Sequence, residues 1–520
     1  MLPRVTGAES LLRTLVANGV DTCFMNPGTS EMHFVAALDR VDGLRGVLCL
    51  FEGVCSGAAD GYARVTGRPA ATLLHLGPGL GNSLANFHNA RKARSPIVSI
   101  VGEHATAHLK VDAPLTSDIA TFARTVSNCV RTATSADDVG AAAAETIAAA
   151  CQPPGQIAML IIPADYSWSE AKVAGPVFER PRRSIPADES IDNAAKLLRD
   201  PGTAVLIGGT AVTPRALHAA GRIAGATGVR FITARNAPKI AAGRGRFQPP
   251  QVAYFPEGAI PMFADVKNLI LVESEKPVSF FAYPGIPSYM VPDSCEVSIL
   301  ARRDQDGTVA LEALADACGG LAVFPLLQET EAVSAPEDAS ELTLDAIGRT
   351  LAAYLPDNAL IADEMVSSSG KVLSHLKAAA PHEFMPVTGG SIGQGLPVAL
   401  GAALACPDRK VIALEADGSG MYTLQALWTI ARENLDVLIV IFANRRYRIL
   451  DIEMARTGAN GFGRIANDMI DIGRPDLDWV KLSEGCGVAA TRALTAREFS
   501  DQIRDAIKQR GPRLVEAVFA

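Results

Sequence analysis

The sequence lacks a CxxC pair, a Cys/His cluster, a long apolar run and any block of lysine and arginine. Each absence excludes something. Nine dispersed cysteines do not make a disulfide framework or a clustered zinc site; they read as reduced, mostly buried thiols of a cytoplasmic protein. The N-terminus has no basic region followed by an apolar run and a small-residue cleavage site, so no signal peptide is expected. The longest apolar stretches, near 436–443 and 138–151, are too short or too alanine-rich to span a bilayer. A net charge of -8 over 520 residues is mild, and argues against nucleic acid or an anionic membrane as a partner.

What is present is an ordinary folded composition, 48% apolar and 20% charged. The length exceeds what one core serves, so several domains are expected. Short β-branched runs ("SPIVSIVG", "AVLIGG", "VRFITA", "NLILVES", "DVLIVIFAN") alternate with Ala/Leu-rich helical stretches, the pattern of parallel α/β layers. Two polar, proline-containing stretches, "ERPRRSIPADES" near 179–190 and "QETEAVSAPEDASE" near 328–341, read as linkers. They divide the chain into three α/β blocks of similar size.

The first and third blocks match at an offset of 340 residues, without a gap over about fifty positions. Gly53 meets Gly393 and Gly61 meets Gly401. The strand "ATLLH" meets "VIALE", the turn Gly77-Pro78-Gly79 meets Asp417-Gly418-Ser419, and "IVSIVGEH" meets "VLIVIFAN". General likeness among parallel α/β units would explain this, and so would two copies of one fold with divided labour.

The stretch "VIALEADGSGMYTL" ends a predicted buried strand on a carboxylate, Asp417, followed by Gly418 and Ser419, which let a ligand approach the backbone. A helix and a strand later, 27 residues on, comes Asn444, predicted on the neighbouring strand tip. A carboxylate and an amide oxygen, with a backbone carbonyl, suit a small hard cation such as Mg²⁺ that also holds phosphate oxygens. The plain alternatives are a helix cap at Asp417 and a turn residue at Asn444.

"ADGSGMYTLQALWTIARENLDVLIVIFANRRY" resembles the thiamin-diphosphate motif of the pyruvate decarboxylase and acetolactate synthase superfamily, with Ala416 in place of its first Gly and Ala443 in place of its first Asn. The resemblance covers the whole chain. It implies three consecutive parallel-sheet α/β domains: a pyrimidine-binding domain over 1–170, a central Rossmann-like domain over 185–330 and a diphosphate-binding domain over 345–520. It implies Mg²⁺ ligands at Asp417, Asn444 and the carbonyl of Arg446. Within "DEMVSSSG" and "TGGSIGQGLP", Ser367 would reach the diphosphate, Gly390 the aminopyrimidine, and Ile392 would wedge the cofactor into its bent shape. Gly418 and Ser419 would line the diphosphate.

The activating carboxylate implied by the resemblance is Glu52 in "LCLFEGVCSGAADGYAR", which would hydrogen-bond the pyrimidine N1′. It follows an apolar run, so it is expected to be buried, with a raised pKa suited to proton exchange. A helix-start Glu satisfied by backbone N–H groups is the bland alternative. "NPGTSEMHF" and "LLHLGPGLGN" most resemble benzoylformate decarboxylase: Thr29 would bind substrate, His75 would relay protons, and Asn82 would lie by the pyrimidine. A core or capping His is the alternative for His75. A second catalytic His, expected in the central domain, is missing, and "PVSFFAYPGIPSY" offers only Phe280, Phe281 and Tyr283. "GPG" at 77–79 resembles the acetolactate synthase branch, but no RFDDR-like flavin stretch is found, so FAD is not expected. Arg445 and Arg446 would face an anionic substrate or lie in a solvated loop.

The expected activity is thiamin-diphosphate- and Mg²⁺-dependent decarboxylation of a 2-oxo acid, or its ligation to an aldehyde or second 2-oxo acid. An acetolactate synthase without flavin and a non-catalytic cofactor-binding homologue are the alternatives. The resemblance also implies a homodimer or homotetramer, because the two cofactor-binding domains meet across a subunit interface in the family.

Overall fold

The computed structural model describes residues 5–519 except 173, 321–322, 328–330, 460 and 462. Residues 328–330 of the second expected linker therefore lie outside the described residues. The first block contributes β1 (Val5–Thr6), β2 (Thr22–Asn26), β3 (Arg45–Leu48), β4 (Ala70–Leu74), β5 (Ile97–Glu103), β6 (Cys129–Thr132), β7 (Ile157–Pro163) and β8 (Glu170–Ala171). Six of these form a parallel sheet in the order β3-β2-β4-β5-β7-β6. Helices cover both faces, so the inner strands are apolar along their length rather than alternating: every residue of β5 and β7 is buried. β1 and β8 pair antiparallel and tie the ends of the block together.

The central block adds β9 (Thr203–Ile207), β10 (Arg230–Thr233), β11 (Ile240–Ala242), β12 (Asn268–Val272) and β13 (Glu296–Ala301). Four of them make a parallel sheet, β10-β9-β12-β13. β11 leaves it and pairs antiparallel with a strand of the third block. That third sheet holds β14 (Ala359–Glu364), β15 (His382–Pro386), β16 (Val411–Ala416), β17 (Val437–Ala443), β18 (Ala489–Ala493) and β19 (Arg513–Val518), in the order β11-β15-β14-β16-β17-β19-β18. With β11 set aside, this repeats the first sheet strand for strand. The repetition seen at an offset of 340 residues is thus a repetition of topology, which a general likeness among α/β units does not require.

The two copies pack on each other through their matching helices, Glu52–Thr66 and Gly395–Ala405. Side chains are small at the crossing because backbone meets backbone. A Cβ at Gly61 would lie 2.2 Å from the Val398 carbonyl oxygen, and one at Gly401 would lie 1.9 Å from that of Ala58. Asn86 Nδ2 donates to both Gly53 O (2.9 Å) and Gly393 O (3.0 Å), the equivalent carbonyls of the two copies. Arg64, fully buried on Asp60, also donates to Pro386 O (3.0 Å) and Thr388 Oγ1 (2.9 Å) in the third block. One apolar core runs through both copies, from Val54 and Phe87 to Leu396 and Ile441.

Some expectations shift. Gly77–Gly79 is not a turn but the start of the helix Leu76–Ala93; the reversal falls one residue earlier, at Leu76 (φ 50°), and a proline fits a first helical turn. The first linker is shorter than expected, because Asp188 opens the helix Asp188–Leu197. The cysteines are all unpaired, four buried and five half-buried. No described helix is long and apolar enough to cross a membrane.

Candidate active site

Open parallel sheets bind ligands at the carboxyl ends of their strands. In the third sheet four adjacent tips carry the residues singled out from the sequence. β15 runs into the loop holding Gly390 and Ile392, β14 into Ser367, β16 into Asp417 and β17 into Asn444. Gly390 has φ 80°, which favours glycine, and a Cβ there would lie 2.3 Å from the Phe280 ring. The loop is held from the first block: His88 Nε2 lies 3.1 Å from Gly389 O, and Asn89 Nδ2 donates to Ser391 O (2.7 Å).

Asp417 is 3% exposed. Its Oδ1 accepts the Gly418 N–H (2.8 Å) and its Oδ2 the Arg445 N–H (2.6 Å), across the gap between β16 and β17. Burial pushes its pKa up to about 6, against those N–H groups. No lysine or arginine pairs with it among the described residues. A buried carboxylate without a cation is costly, and a divalent ion would remove that cost, so the donor set fits Mg²⁺. Asn444 Oδ1 accepts the Arg446 N–H (3.0 Å). The described residues hold no group of three His, Cys, Asp or Glu able to bind a metal; one carboxylate, one amide and one carbonyl are a different kind of site. A Cβ at Gly418 would strike the Tyr447 ring at 2.5 Å. Ser419 turns its hydroxyl inward, to Glu415 Oε1 (2.6 Å), leaving only its backbone toward a ligand.

Two buried acids missed in the sequence lie beneath this surface. Glu364 accepts the N–H groups of Gly393 (2.9 Å) and Gly395 (2.6 Å), so it fixes the loop carrying Ile392. The Glu415 carboxyl faces it, and burial raises both pKa values, Glu415 the further because Glu364 is beside it. At sequence level each looked like the polar end of a strand.

The first sheet places Glu52, Thr29 and His75 after the adjacent strands β3, β2 and β4. Glu52 opens its helix half-buried, not buried as expected, because it stands at the rim of the sheet beside exposed Leu50. Asn82 Nδ2 donates to Glu52 Oε2 (3.0 Å). His75 Nδ1 lies 2.8 Å from Glu31 Oε2, which also accepts the Gly28 N–H at 2.8 Å. Gly28 packs flat on the imidazole, where a Cβ would lie 2.4 Å from ring atoms. Glu31 was missed too; its only signal is an acid three residues after a glycine in "PGTSE". It is 3% exposed, and burial raises its pKa against the pull of Gly28 and His75. With Nδ1 committed to Glu31, Nε2 of His75 is the nitrogen free for chemistry. Thr29 is exposed next to Gly28.

Three non-glycine residues with left-handed backbone sit beside these positions: Leu76 after His75 (φ 50°), Val366 before Ser367 (φ 52°) and Arg445 between Asn444 and Arg446 (φ 60°). A β-branched residue there is a true outlier, and such strain gathers at functional sites. The arginines themselves are engaged. Arg446 pairs with Asp451 (2.5 Å) and Arg445 with Asp476 (2.8 Å), so neither is a free cation for a substrate. Tyr283 donates to Glu453 (3.0 Å), while Phe280 and Phe281 meet edge to face, 5.0 Å between centroids. No hydrogen bond or ion pair among the described residues joins Glu52 or His75 to Ser367, Asp417 or Asn444.

Residues 5–123 match the N-terminal TPP binding domain of thiamine pyrophosphate enzymes, and residues 366–517 the C-terminal TPP binding domain. The two matches cover more than half of the chain. The chain belongs to the thiamine pyrophosphate enzyme family. A Mycobacterium tuberculosis (strain ATCC 25618 / H37Rv) relative, provisionally named acetolactate synthase large subunit IlvX, is 49% identical over 518 residues, 99% of each chain. Benzoylformate decarboxylase of Pseudomonas aeruginosa is 27% identical over 530 residues, with 96% of each chain covered. The structure of the Rhodococcus jostii RHA1 thiamine diphosphate-dependent 4-hydroxybenzoylformate decarboxylase superposes with a TM-score of 0.81 at 25% identity, over 99% of this chain and 100% of that one. Membership makes this chain a thiamine diphosphate-dependent enzyme of the decarboxylase and acetolactate synthase group, with cofactor-binding domains at both ends.

Proposed function

We propose that the chain decarboxylates a 2-oxo acid, with thiamine diphosphate and Mg²⁺, in the manner of benzoylformate decarboxylase. The observation that carries this reading is the Glu31–His75 pair beside Thr29, on strand tips next to Glu52. When bound, the cofactor supplies a nucleophilic carbon and takes up the electrons released with CO₂. Asp417, Asn444 and the carbonyl of Arg446 hold Mg²⁺. The Gly418 and Ser419 backbone and Ser367 bind the diphosphate, and Gly390 and Ile392 orient the rings. Glu52 holds the proton at pyrimidine N1′, and Asn82 fixes its carboxylate. Thr29 binds the substrate carboxylate, and His75 Nε2 moves a proton to and from the substrate carbon. Phe280, against Gly390, puts a ring where a second histidine was expected; water and His75 then carry the proton traffic at the substrate carbon.

Glu52 and Asp417 share no contact within one chain, which supports a homodimer or homotetramer in which two copies complete each site. Unpaired cysteines suit a cytoplasmic enzyme. The placement of Glu273, described below, supports an enzyme without FAD. The 49% identity to a relative named as an acetolactate synthase subunit favours a second reading, ligation of the decarboxylated fragment to another 2-oxo acid.

A panel of 2-oxo acids with thiamine diphosphate and Mg²⁺ tests both. CO₂ with an aldehyde from an aryl 2-oxo acid supports the decarboxylase; acetolactate from pyruvate supports the ligase. Tight cofactor binding with no turnover of any acid overturns both and leaves a non-catalytic homologue.

A further inference from the structure

A cavity of about 330 Å³ lies between the first and central blocks, lined by Lys92, Arg94, Arg180, Arg183 and Arg303. Its lining includes no residue assigned to the site above, although Arg64, which lines it, reaches Thr388 near the Gly390 loop. It opens at Gly67, the C-cap of the helix that begins at Glu52, and 15 helical residues separate the two ends by about 22 Å. On the central side it is bounded by the carboxyl edge of the sheet, at Gly208–Thr210 and Glu273.

That edge is where a nucleotide phosphate would sit in such a sheet. Here the chain fills the seat itself. Glu273, at the tip of β12 with φ 47°, accepts the N–H groups of Thr210 (3.0 Å) and Gly307 (2.8 Å) and the Thr210 hydroxyl. Arg183 Nη1 closes on it at 2.9 Å. A Cβ at Gly209 would lie 2.2 Å from this carboxylate, so the turn has no room for a second anion.

The rest of the cavity is positive and only partly compensated. Lys92, Arg94 and Arg180 have no carboxylate within ion-pair distance among the described residues; Arg180 only reaches Gly19 O (3.2 Å). Arg303 Nε stands 3.4 Å from Glu275, whose side chain is 69% exposed. Burial makes the Arg303 charge costly and Arg94 adds to that cost, while Glu275 and Glu273 offset part of it. Several cations lining one half-open cavity repel each other, and an anion that joins them relieves the repulsion.

We propose that this cavity binds a compact, multiply charged anion, a polyphosphate or polycarboxylate without a nucleoside, held by Lys92, Arg94, Arg180 and Arg303. Lys92 and Arg94 come from the first block and Arg303 from the central one, so the ligand clamps the two together and stabilises the fold by mass action.

Calorimetric titration and thermal melting of the full chain, with thiamine diphosphate bound and free Mg²⁺ held constant, test this. The probes are tripolyphosphate, citrate, ADP and FAD, against sodium chloride of equal ionic strength. One or both compact anions should bind saturably, one per chain, and raise the melting temperature; which binds tighter separates phosphate from carboxylate sources. Lys92→Gln with Arg94→Asn should weaken that binding about tenfold or more. Both side chains are exposed and unpaired, and asparagine tolerates the left-handed backbone at 94 (φ 60°), so the variant keeps its fold and its turnover. Saturable binding of neither compact anion, equal binding by the double variant, or ADP or FAD binding more tightly than both compact anions would overturn the proposal.

Discussion

Gly61 and Gly401 occupy matching places in the two copies of the fold, and each lets its helix rest on the backbone of the other. A Cβ at Gly401 would meet the Ala58 carbonyl at 1.9 Å, an overlap no rotamer change relieves. Gly401→Val should therefore force the helices apart and destabilise the protein by about 3 kcal/mol or more. Scanning calorimetry should show the fall, and an unchanged melting temperature would mean the crossing is looser than described.

Glu52→Gln keeps the shape of the side chain and its bond from Asn82 but cannot exchange a proton. Turnover should fall at least about 100-fold, while cofactor affinity changes only a few-fold. Wild-type rates in this variant would remove Glu52 from the mechanism.

Glu31 touches His75, and under the proposed function it acts through that ring rather than on the substrate. Glu31→Gln should lower kcat about tenfold and change the shape of the pH–rate profile, with little effect on cofactor affinity. Loss of melting temperature alone, with kcat and the profile intact, would make Glu31 structural only.

Asp417→Ala should abolish Mg²⁺-dependent retention of thiamine diphosphate, measured by cofactor loss on gel filtration. The same change removes a buried charge that two N–H groups but no cation among the described residues offset, so the metal-free variant should melt no lower than the metal-free parent. Tight cofactor retention by the variant would refute the ligand assignment.

His382, in β15, is 1% exposed, and its Nε2 has no partner. Burial pushes its pKa down to about 4 from 6.5. The unfolded chain thus binds this proton between those values while the folded chain does not. Stability from the neutral ring is full above about pH 6.5 and is lost as pH falls toward 4, at up to about 1.4 kcal/mol per pH unit. His382→Phe should show a shallower acid loss than the parent in denaturant titrations at pH 7, 6 and 5; parallel losses would contradict the burial of a neutral imidazole.

The closeness of Asp417 and Asn444 was legible because strand tips in a parallel sheet are adjacent whenever one helix separates them, so their spacing carried three-dimensional information. The duplication was legible because glycines at the helix crossing, Gly61 and Gly401, cannot change without a clash. Glu31, Glu364 and Glu415 were not, because their partners are His75 and backbone N–H groups far away in sequence. An acid at a strand end looks the same whether it is solvated or buried. Glu52 was placed but its burial was overestimated, since an apolar run before a residue says nothing about whether a sheet rim covers it. The pairing of β11 was also invisible: three residues, "IAA", carry no partner preference of their own.

Among the described residues, β11 is the one strand that the central block lends to another sheet, with Ile240 opposite Phe384 and Ala242 opposite His382. The central and third blocks are therefore stitched rather than strung. A protease that nicks the exposed stretch at 337–340 would break the backbone between them yet leave the two pieces laced together by main-chain bonds. Moving the central block as a hinged arm would mean unpicking that seam.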